Sequence, residues 1–522
     1  MLRELQKQKI KAFLGMPNSP WKVLVLDARA QHIIGPLMKV NELRECGVTT
    51  HFLVSQGRHP ISNTPAVYFV EKADGIAEDI LKELYSEYYL NFTTSVGRGE
   101  LEDLGLRLSE RGLGLRVRSV FDQFLDFTAL QDDLFTLEMK DSFAGIENTD
   151  MWRGMVMSLM SVFVTLGEVP FMATLDDETC IQIAKMLEAK IKNTGVIKKT
   201  GKRPLLILMN RNYDVSTPVQ HVWSYSALMN DLFKFESNKI TLKSGKVFDL
   251  DPEDELWRGN SNEYFPVVVE RVEKELLEYR KEMALRSIDE KTDKKVIQEA
   301  LDKAPELAKR NESVNAHISI CSEMVEIIKK RAIDDFYKVE KGRYTDQELM
   351  ELSEKGDDED ILRLAILLLN TKDFDLIDPL LQKRKVKSKV IEFFRKHKSA
   401  RPEKTGAFYS QMVTSLMGNV KKLLPVKEQT PISSLVESIY SDIKSQIYSG
   451  FKLIDSTGSK NIYASEISRI VVFSIGGGTY TELKTLKLLE ERIGVPIMYG
   501  STEILNAGEF LRQVKSRMSL DQ

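Results

Sequence analysis

The chain has 522 residues, more than one ordinary hydrophobic core holds, so two to four domains are expected. Hydrophobic residues make up 42% and charged residues 29%, a balance typical of soluble globular proteins, and a net charge of −3 gives no general attraction to nucleic acid or anionic membrane. The three cysteines, Cys46, Cys180 and Cys321, are far apart in the sequence. They argue against a disulfide framework or a zinc site and indicate a reducing compartment.

The N-terminal stretch MLRELQKQKIKAFLGM is charged and helical in pattern, without the apolar core of a signal peptide. The most apolar helix candidate, residues 155–167, is shorter than the ~20 residues that cross a bilayer and predicts a buried core helix. We therefore expect a soluble, cytosolic protein.

Strands and helices alternate over roughly residues 20–140. The runs WKVLVLD, VTTHFLV, PAVYFV and YYLNFTTSV are typical of strands, with helical stretches between them. This order predicts a parallel sheet covered by helices on both faces.

A second sheet is predicted to be interrupted. PLLILMN (204–210), RIVVFSI (469–475) and GVPIMYG (494–500) are typical of buried strands, whereas residues 265–422 are almost wholly helical in pattern. We place a helical insertion at about 211–435, between strands of one sheet. Within it, two long polar helices joined near Ala304-Pro305 predict a projecting hairpin, since proline suits the first turn of a helix.

The stretch VVFSIGGGTYTEL (471–483) has the outline of a phosphate-binding loop. It lacks the Gly-Lys-Ser/Thr of a Walker loop, and Thr481 stands where a dinucleotide fingerprint has its third glycine. We favour a tight strand-to-helix turn in which glycine allows positive φ and Thr479 or Thr481 caps the helix. A nucleotide-dependent enzyme is the alternative.

Other candidate sites are weak. The six histidines show no metal-binding spacing, and no G-x-S-x-G motif supports a Ser-His-Asp triad. Asp27 could ligate a metal, but we favour a helix cap. The basic run KRKVKSKVIEFFRKHK (383–398) is interpreted first as a solvated helix face, and otherwise as a site for an acidic partner or lipid headgroups.

The stretch LEDLGLRLSERGLGLRVRSVFDQFLDF (101–127) carries apolar residues at helical spacing on two short elements. Leu101, Leu104, Val117, Val120 and Phe124 either cover the sheet or leave an exposed groove for an amphipathic peptide.

Five ordered stretches give the chain a resemblance to the SM (Sec/Munc-type) family of SNARE-assembly proteins, most closely its ER–Golgi, SLY-type branch. They are WKVLVLDARAQHIIGPLMKVNELRECGVTTHFLV; PAVYFV with YYLNFTTSV and VFDQFLDFTALQDDLF; RPLLILMNRNYDVSTPVQHVWSYSALMNDLF; GDDEDILRLAILLLN; and VVFSIGGGTYTELKTL with MYGSTEILNAGEFLRQV. The resemblance covers about residues 20–515.

The resemblance implies an arch of α/β and α class. Its domains would be an α/β domain at 1–140, a split α/β domain at 141–210 and 436–522, and a mainly helical domain at 211–435. It also implies a non-catalytic function without cofactor or metal. Such proteins bind syntaxin-type SNAREs and template their assembly with other SNAREs in vesicle fusion, peripherally on ER, Golgi or vesicle membranes, with tethering factors as further partners.

The resemblance also implies site residues. The positions that match the pocket for the syntaxin N-terminal peptide are Leu101, Leu104, Gly105, Val117 and Val120. The SNARE-templating hairpin would begin its second arm at Pro305, with His317 and Ile318 on the matching turn. Asn210 stands where the family usually has an acid before Arg211, and the tract 339–360 is short for a regulatory loop. An endosomal–vacuolar SM protein in a tethering complex is the alternative within the family.

Overall fold

A computed structural model describes residues 1–195, 197, 201–285, 294–341, 345–369, 377–384, 389–396, 428–448, 450–458 and 461–520. The chain divides into two compact units. Unit 1 comprises Met1–Arg211, Ile432–Gly478 and Leu486–Ile504, and unit 2 comprises Asn212–Pro431, Thr479–Thr485 and Leu505–Gln522. The three-domain division with boundaries at 140, 210 and 435 stays a prediction.

The first sheet of unit 1 is wholly parallel, with five strands in the order β2-β1-β3-β4-β5. The central strands KVLVL and AVYFV are buried along their whole length, as expected for a sheet covered on both faces. The strands are β1 (Lys22–Leu26), β2 (Val48–Leu53), β3 (Ala66–Val70), β4 (Tyr88–Phe92) and β5 (Val117–Asp122). The parallel sheet predicted for residues 20–140 is therefore present.

Five helices accompany this sheet: α1 (Leu2–Leu14), α2 (Ala28–Ile34), α3 (Val40–Glu45), α4 (Ile76–Ile80) and α5 (Arg98–Glu110). Asp27 starts α2, because its carboxylate accepts a hydrogen bond of 2.7 Å from the Ala30 backbone N–H. A second bond of 2.6 Å comes from the Glu71 N–H. The helix-cap interpretation of Asp27 is confirmed.

The second sheet of unit 1 has seven strands in the order β13-β8-β9-β14-β15-β7-β6, antiparallel only at its two ends. The strands are β6 (Thr128–Ala129), β7 (Leu134–Thr136), β8 (Phe171–Thr174), β9 (Arg203–Asn210), β13 (Lys452–Asp455), β14 (Ile467–Ile475) and β15 (Ile497–Ser501). The three predicted strands of the interrupted sheet, β9, β14 and β15, are adjacent and parallel.

Helices α6 (Thr149–Leu166), α7 (Glu178–Thr194) and α17 (Pro431–Lys444) belong to this part of unit 1. Helix α6 contains the apolar stretch noted in the sequence, and its inner face is buried, including Leu159, Val162 and Phe163. Among the described helices, none combines the length and apolar character needed to span a membrane.

A buried ion pair fastens the edge of this sheet. The Arg203 guanidinium donates to the Asp455 carboxylate at 2.5 and 3.2 Å and to the carbonyl oxygens of Val169 and Pro170 at 2.8 and 3.0 Å. It also lies over the Phe171 ring. The two charges are 252 positions apart in the chain, so the pair joins the segments on either side of the insertion.

Unit 2 is mainly helical, with one small antiparallel sheet of β10 (Lys234–Glu236), β11 (Lys239–Thr241) and β12 (Val247–Asp249). Its helices are α8 (Tyr225–Leu232), α9 (Glu255–Asn260), α10 (Phe265–Leu285), α11 (Lys294–Arg331), α12 (Ile333–Glu340), α13 (Asp346–Leu352), α14 (Asp358–Leu368), α15 (Ile377–Arg384), α16 (Val390–Lys396) and α19 (Ala507–Leu520). Helix α18 (Tyr480–Ile493) has its first six residues in unit 2 and the rest in unit 1. The predicted α/β and α class is confirmed.

A buried cluster of charged side chains lies inside unit 2. The ring of His221 lies 3.1 Å from Asp360 through Nε2, contacts Glu340 through Nδ1 and stacks on Phe336 with centroids 4.7 Å apart. Arg331 donates to the other Asp360 oxygen at 3.0 Å. The cluster explains the polar start of GDDEDILRLAILLLN, because Asp360 on α14 is the shared acceptor.

Replacing Asp455 by Asn should destabilise unit 1. Burial by itself would raise the pKa of Asp455, but hydrogen bonds from Arg203 and Thr457 outweigh it and hold that pKa well below its ordinary value. The carboxylate therefore stabilises the fold above about pH 4, and the contribution is lost as the pH falls further. We expect Asp455→Asn to cost about 3–5 kcal/mol at pH 7 in urea unfolding, because Arg203 stays buried without its charge partner.

The control for this variant is Asp176→Asn, which removes an exposed ion pair between Asp176 and Lys452. Lys452 lies on β13, the strand that also carries Asp455. It should cost no more than about 1 kcal/mol. Equal losses in the two variants would contradict a special role for the buried pair.

His221→Gln should change how the stability of unit 2 depends on pH. Burial and Arg363 lower the pKa of His221, but Glu340 and Asp360 outweigh them and raise it. The imidazolium contribution is therefore complete below about pH 6.5 and is lost as the pH rises through the raised value. We expect the variant to lose about 3 kcal/mol of protection against hydrogen exchange in 358–368 at pH 6, and less at pH 8.5. The exposed His59→Gln is the control, and a pH slope that survives in His221→Gln would contradict this assignment.

Candidate functional site

Helix α5 and the strand that follows it carry the residues matched to a peptide pocket. Leu104 is buried in the apolar core beneath the helix, and Leu101 and Val117 pack partly buried against the same core cluster. Three of the five predicted residues therefore share one apolar cluster. Because Leu104 belongs to the core of unit 1, a charge placed there would also disturb folding.

Gly105 and Val120 differ from these three in being exposed. A Cβ atom built on Gly105 would meet nothing within 4 Å, so the helix leaves open space at that point. Val120 lies on the edge strand β5 and is 44% exposed. The structure thus gives the segment an apolar floor and an open, solvent-facing surface.

Three further apolar residues of the same segment face solvent and were not among the predicted ones. Leu106 is 61% exposed, Leu115 is 88% exposed, and Phe121 is about half-exposed. The sequence indicated exposed apolar residues here only in general terms, because residues 101–127 contain more large apolar residues than one face can bury. We call the surface formed by the five predicted residues of α5 and β5 the α5–β5 groove.

Ion pairs border the groove. Arg116 pairs with Glu83 at 3.0 Å and Arg118 with Glu87 at 2.8 Å. Arg107 pairs with Glu78, and this contact raises the pKa of Arg107 and lowers that of Glu78. These pairs are exposed and therefore contribute little to stability. The surface offers apolar contact bordered by charged side chains.

The helical hairpin consists of α10 and α11, joined by residues outside the described ranges. Arg310 of α11 contacts Glu275 at 2.5 Å and Glu282 at 2.8 Å, both on α10. The predicted junction at Ala304-Pro305 is wrong, since Pro305 lies inside α11. Proline suits the first turn of a helix, but α11 begins at Lys294 and continues through Pro305.

His317 and Ile318 also lie within α11 and not on a turn. The buried His317 ring is 2.8 Å from the Tyr225 hydroxyl through Nδ1, and burial lowers its pKa to about 4. Ile318 is half-buried. His317 is therefore a core residue at the base of the hairpin, and the roles of Pro305 and Ile318 stay predictions.

The glycine turn at 476–478 has its backbone groups occupied. The N–H groups of Gly476 and Gly477, both at positive φ, donate to the Thr502 hydroxyl at 3.1 and 2.8 Å. A Cβ on Gly478 would lie 2.5 Å from the Tyr499 hydroxyl. The glycines thus allow close approach between strands, and their N–H groups do not face an open phosphate site.

The remaining candidates have structural roles in the described residues. Asn210 donates to the carboxylate of Asp177, the residue that caps α7, at 3.2 Å, so an acid faces the position where the family usually has one. No group of three His, Cys, Asp or Glu side chains suited to a metal occurs within the described ranges. Of the basic run 383–398, α16 buries Val390, Ile391, Phe393 and Phe394. Lys389, just before α16, and Arg395 and Lys396 at its end are exposed. Their exposure supports a solvated helix face for residues 389–396.

Comparisons with known proteins agree on one family. Residues 22–513 match the model of the Sec1 family. The chain is 81% identical over 521 residues to the SEC1 family transport protein SLY1 of Encephalitozoon cuniculi (strain GB-M1), covering 100% of both chains. A crystal structure of Sly1p in complex with an N-terminal peptide of Sed5p is 24% identical, with a TM-score of 0.82 over 100% of this chain and 99% of that one.

A structure of the SM protein Vps45 in complex with the Qa SNARE Tlg2 (1-310) is also similar in fold. Its TM-score is 0.82 at 17% identity, over 99% of this chain and 98% of that one. At these identities the solved structures support the fold, and the family rests on the sequence matches. The chain belongs to the Sec1 family, and its identity to SLY1 supports the SLY-type branch.

Proposed function

We propose that this protein is a SNARE-binding chaperone that recruits a syntaxin-type SNARE by its N-terminal peptide and templates SNARE assembly for vesicle fusion in ER–Golgi transport. The relative at 81% identity is a SLY1 transport protein, and a structural neighbour binds an N-terminal peptide of Sed5p. The observation that carries the proposal is the α5–β5 groove, which combines open space at Gly105, the exposed Val120 and a buried apolar floor.

Recruitment follows from apolar burial. Each peptide side chain buried well in the groove gains about 1.5–3 kcal/mol, less the cost of ordering the peptide. Two or three such anchors support roughly micromolar affinity. The bound peptide then raises the effective concentration of the attached SNARE helix near this protein.

Templating is assigned to the α10–α11 hairpin. Leu277 is 50% exposed on α10 and Met283 is also exposed, whereas Arg310 and its two glutamates fix the arms to each other. A firm pair of helices with exposed apolar residues can align SNARE helices in register and lower the nucleation cost of their four-helix coiled coil. Pro305 and Ile318 of α11 are assigned to this element.

The proposed function needs neither catalysis nor a cofactor. The rival nucleotide-binding enzyme is disfavoured because Thr502 already accepts from the N–H groups of Gly476 and Gly477. We further propose a cytoplasmic location, peripheral on ER, Golgi or vesicle membranes through membrane-anchored partners, with tethering factors among them. An endosomal–vacuolar SM function is disfavoured by the identity to a SLY1 protein.

Gly105→Leu should weaken peptide binding without harming the fold. The new side chain meets no atom of the protein close to its Cβ and fills the groove. We expect calorimetry with a syntaxin N-terminal peptide to show at least a roughly tenfold loss of affinity, equivalent to one lost anchor.

The matched control is Gly99→Leu, a change on another face of the same helix where a Cβ also meets nothing. It should leave the peptide affinity unchanged. Unchanged affinity in Gly105→Leu would show that the α5–β5 groove is not the peptide site. Failure of the unmodified protein to bind any SNARE would overturn the proposed function itself.

Leu277→Asp should slow SNARE assembly and leave peptide affinity intact. A charge on the exposed face of α10 removes an apolar contact with a SNARE helix, so assembly followed by fluorescence transfer should slow by roughly tenfold. Val247→Asp, at another exposed apolar residue of unit 2, is the control. An assembly rate equal to that of the control would contradict templating by this face.

A further inference from the structure

The strand β2 forms an open edge of the first sheet. It pairs with β1 on one side and with no other strand of the described ranges, and β5 forms the opposite edge. Thr49 and His51 of β2 are exposed. An edge strand presents unpaired backbone N–H and C=O groups, which can pair with another extended chain.

Every other edge strand of the described sheets is protected in one of two ways. Charged side chains lie on β5 (Arg118, Asp122), β13 (Lys452, Asp455), β10 (Lys234, Glu236) and β12 (Asp249), and β6 has only two residues. These are devices by which proteins prevent unwanted strand pairing. In contrast, β2 reads VTTHFL and contains no Lys, Arg, Asp, Glu or Pro. Its sequence favours strand pairing and does nothing to prevent it.

A groove of about 180 Å³ runs beside this edge, between α3 and β2. It is lined by Val40, Leu43, Arg44, Val48, Thr49, Thr50 and His51. Val40 is 53% exposed, and Leu43 and Val48 form a buried apolar floor. The groove therefore has room for an apolar side chain projecting from a strand laid along β2.

The groove beside β2 has positive charge at its rim and no negative charge among its lining residues. Arg44 is exposed, and its guanidinium makes no ion pair with any residue in the described ranges. No carboxylate is among the lining residues. An unpaired guanidinium at the rim favours an acidic side chain in the occupant, because it can donate two parallel hydrogen bonds to a carboxylate.

We propose that an extended acidic segment of a partner protein binds here by adding a strand to β2. Its backbone pairs with the open edge, one apolar side chain enters the groove, and a neighbouring Asp or Glu binds Arg44. A second copy of this chain fits less well, because it would bring the same cation and no carboxylate from the groove lining. The site is at the opposite edge of the sheet from β5 and is independent of the proposed syntaxin peptide site.

The test uses the full-length protein and a displayed library of random heptapeptides, selected for binding to the natural protein and against Thr49→Lys. That variant gives the edge a charge of the kind found on the other edges. The enriched peptides should be strand-forming and should contain Asp or Glu, and by fluorescence anisotropy Thr49→Lys should weaken them at least roughly tenfold. Hydrogen exchange should show protection of the β2 amides in the complex.

Charge reversal tests the role of Arg44. Arg44→Glu should weaken the acidic peptides by roughly tenfold and should favour the same peptides with Lys in place of the acid. Arg258→Glu, at an exposed arginine of α9, is the matched control and should change neither affinity. Absence of clones sensitive to Thr49→Lys, or unchanged affinity in Arg44→Glu, would overturn the proposal. A dimer of this chain that Thr49→Lys dissociates would overturn it as well, by assigning the edge to a second copy.

Discussion

The parallel pairing of β9 with β14 is the constraint on which unit 1 depends. The aligned residues run from Arg203 beside Ile467 to Asn210 beside Ile475, although the two strands flank the whole helical insertion. The buried ion pair of Arg203 and Asp455 also joins the segment before the insertion to the segment after it. Because the insertion leaves and re-enters one sheet, unit 2 can carry long polar helices without contributing to the core of unit 1.

The N-terminal helix α1 joins the two sheets of unit 1. The Gln6 side chain donates to the carbonyl oxygens of Phe127 at 2.6 Å and Leu125 at 3.3 Å, in the segment that leads from the first sheet to the second. Lys22, at the start of β1, donates back to the Leu14 carbonyl at 2.7 Å. Polar side chains satisfying buried carbonyl groups thus fix the helix where apolar contacts alone would leave its register open.

The surfaces proposed for binding share one property, which is apolar surface that the fold leaves uncovered. On the α5–β5 groove the uncovered residues lie beside exposed ion pairs, and on the β2 edge they lie beside an unpaired guanidinium. Apolar contact supplies affinity in both places, and the different surrounding charges allow different partners to be distinguished. The hairpin adds a third such surface on unit 2, at Leu277.

The sequence by itself determined the fold class, the strands β9, β14 and β15, the Asp27 cap and the family, because apolar periodicity and motif order are local properties. It could not place the hairpin junction, since Pro305, a residue type suited to a helix start, lies inside α11. Nor could it separate Leu104 and Val117, against the core, from the exposed Gly105 and Val120. Only the tertiary structure decided which of these residues are buried, and that the Thr502 hydroxyl accepts hydrogen bonds from the glycine turn. The physical reason is that burial and hydrogen-bond partners depend on residues distant in the chain.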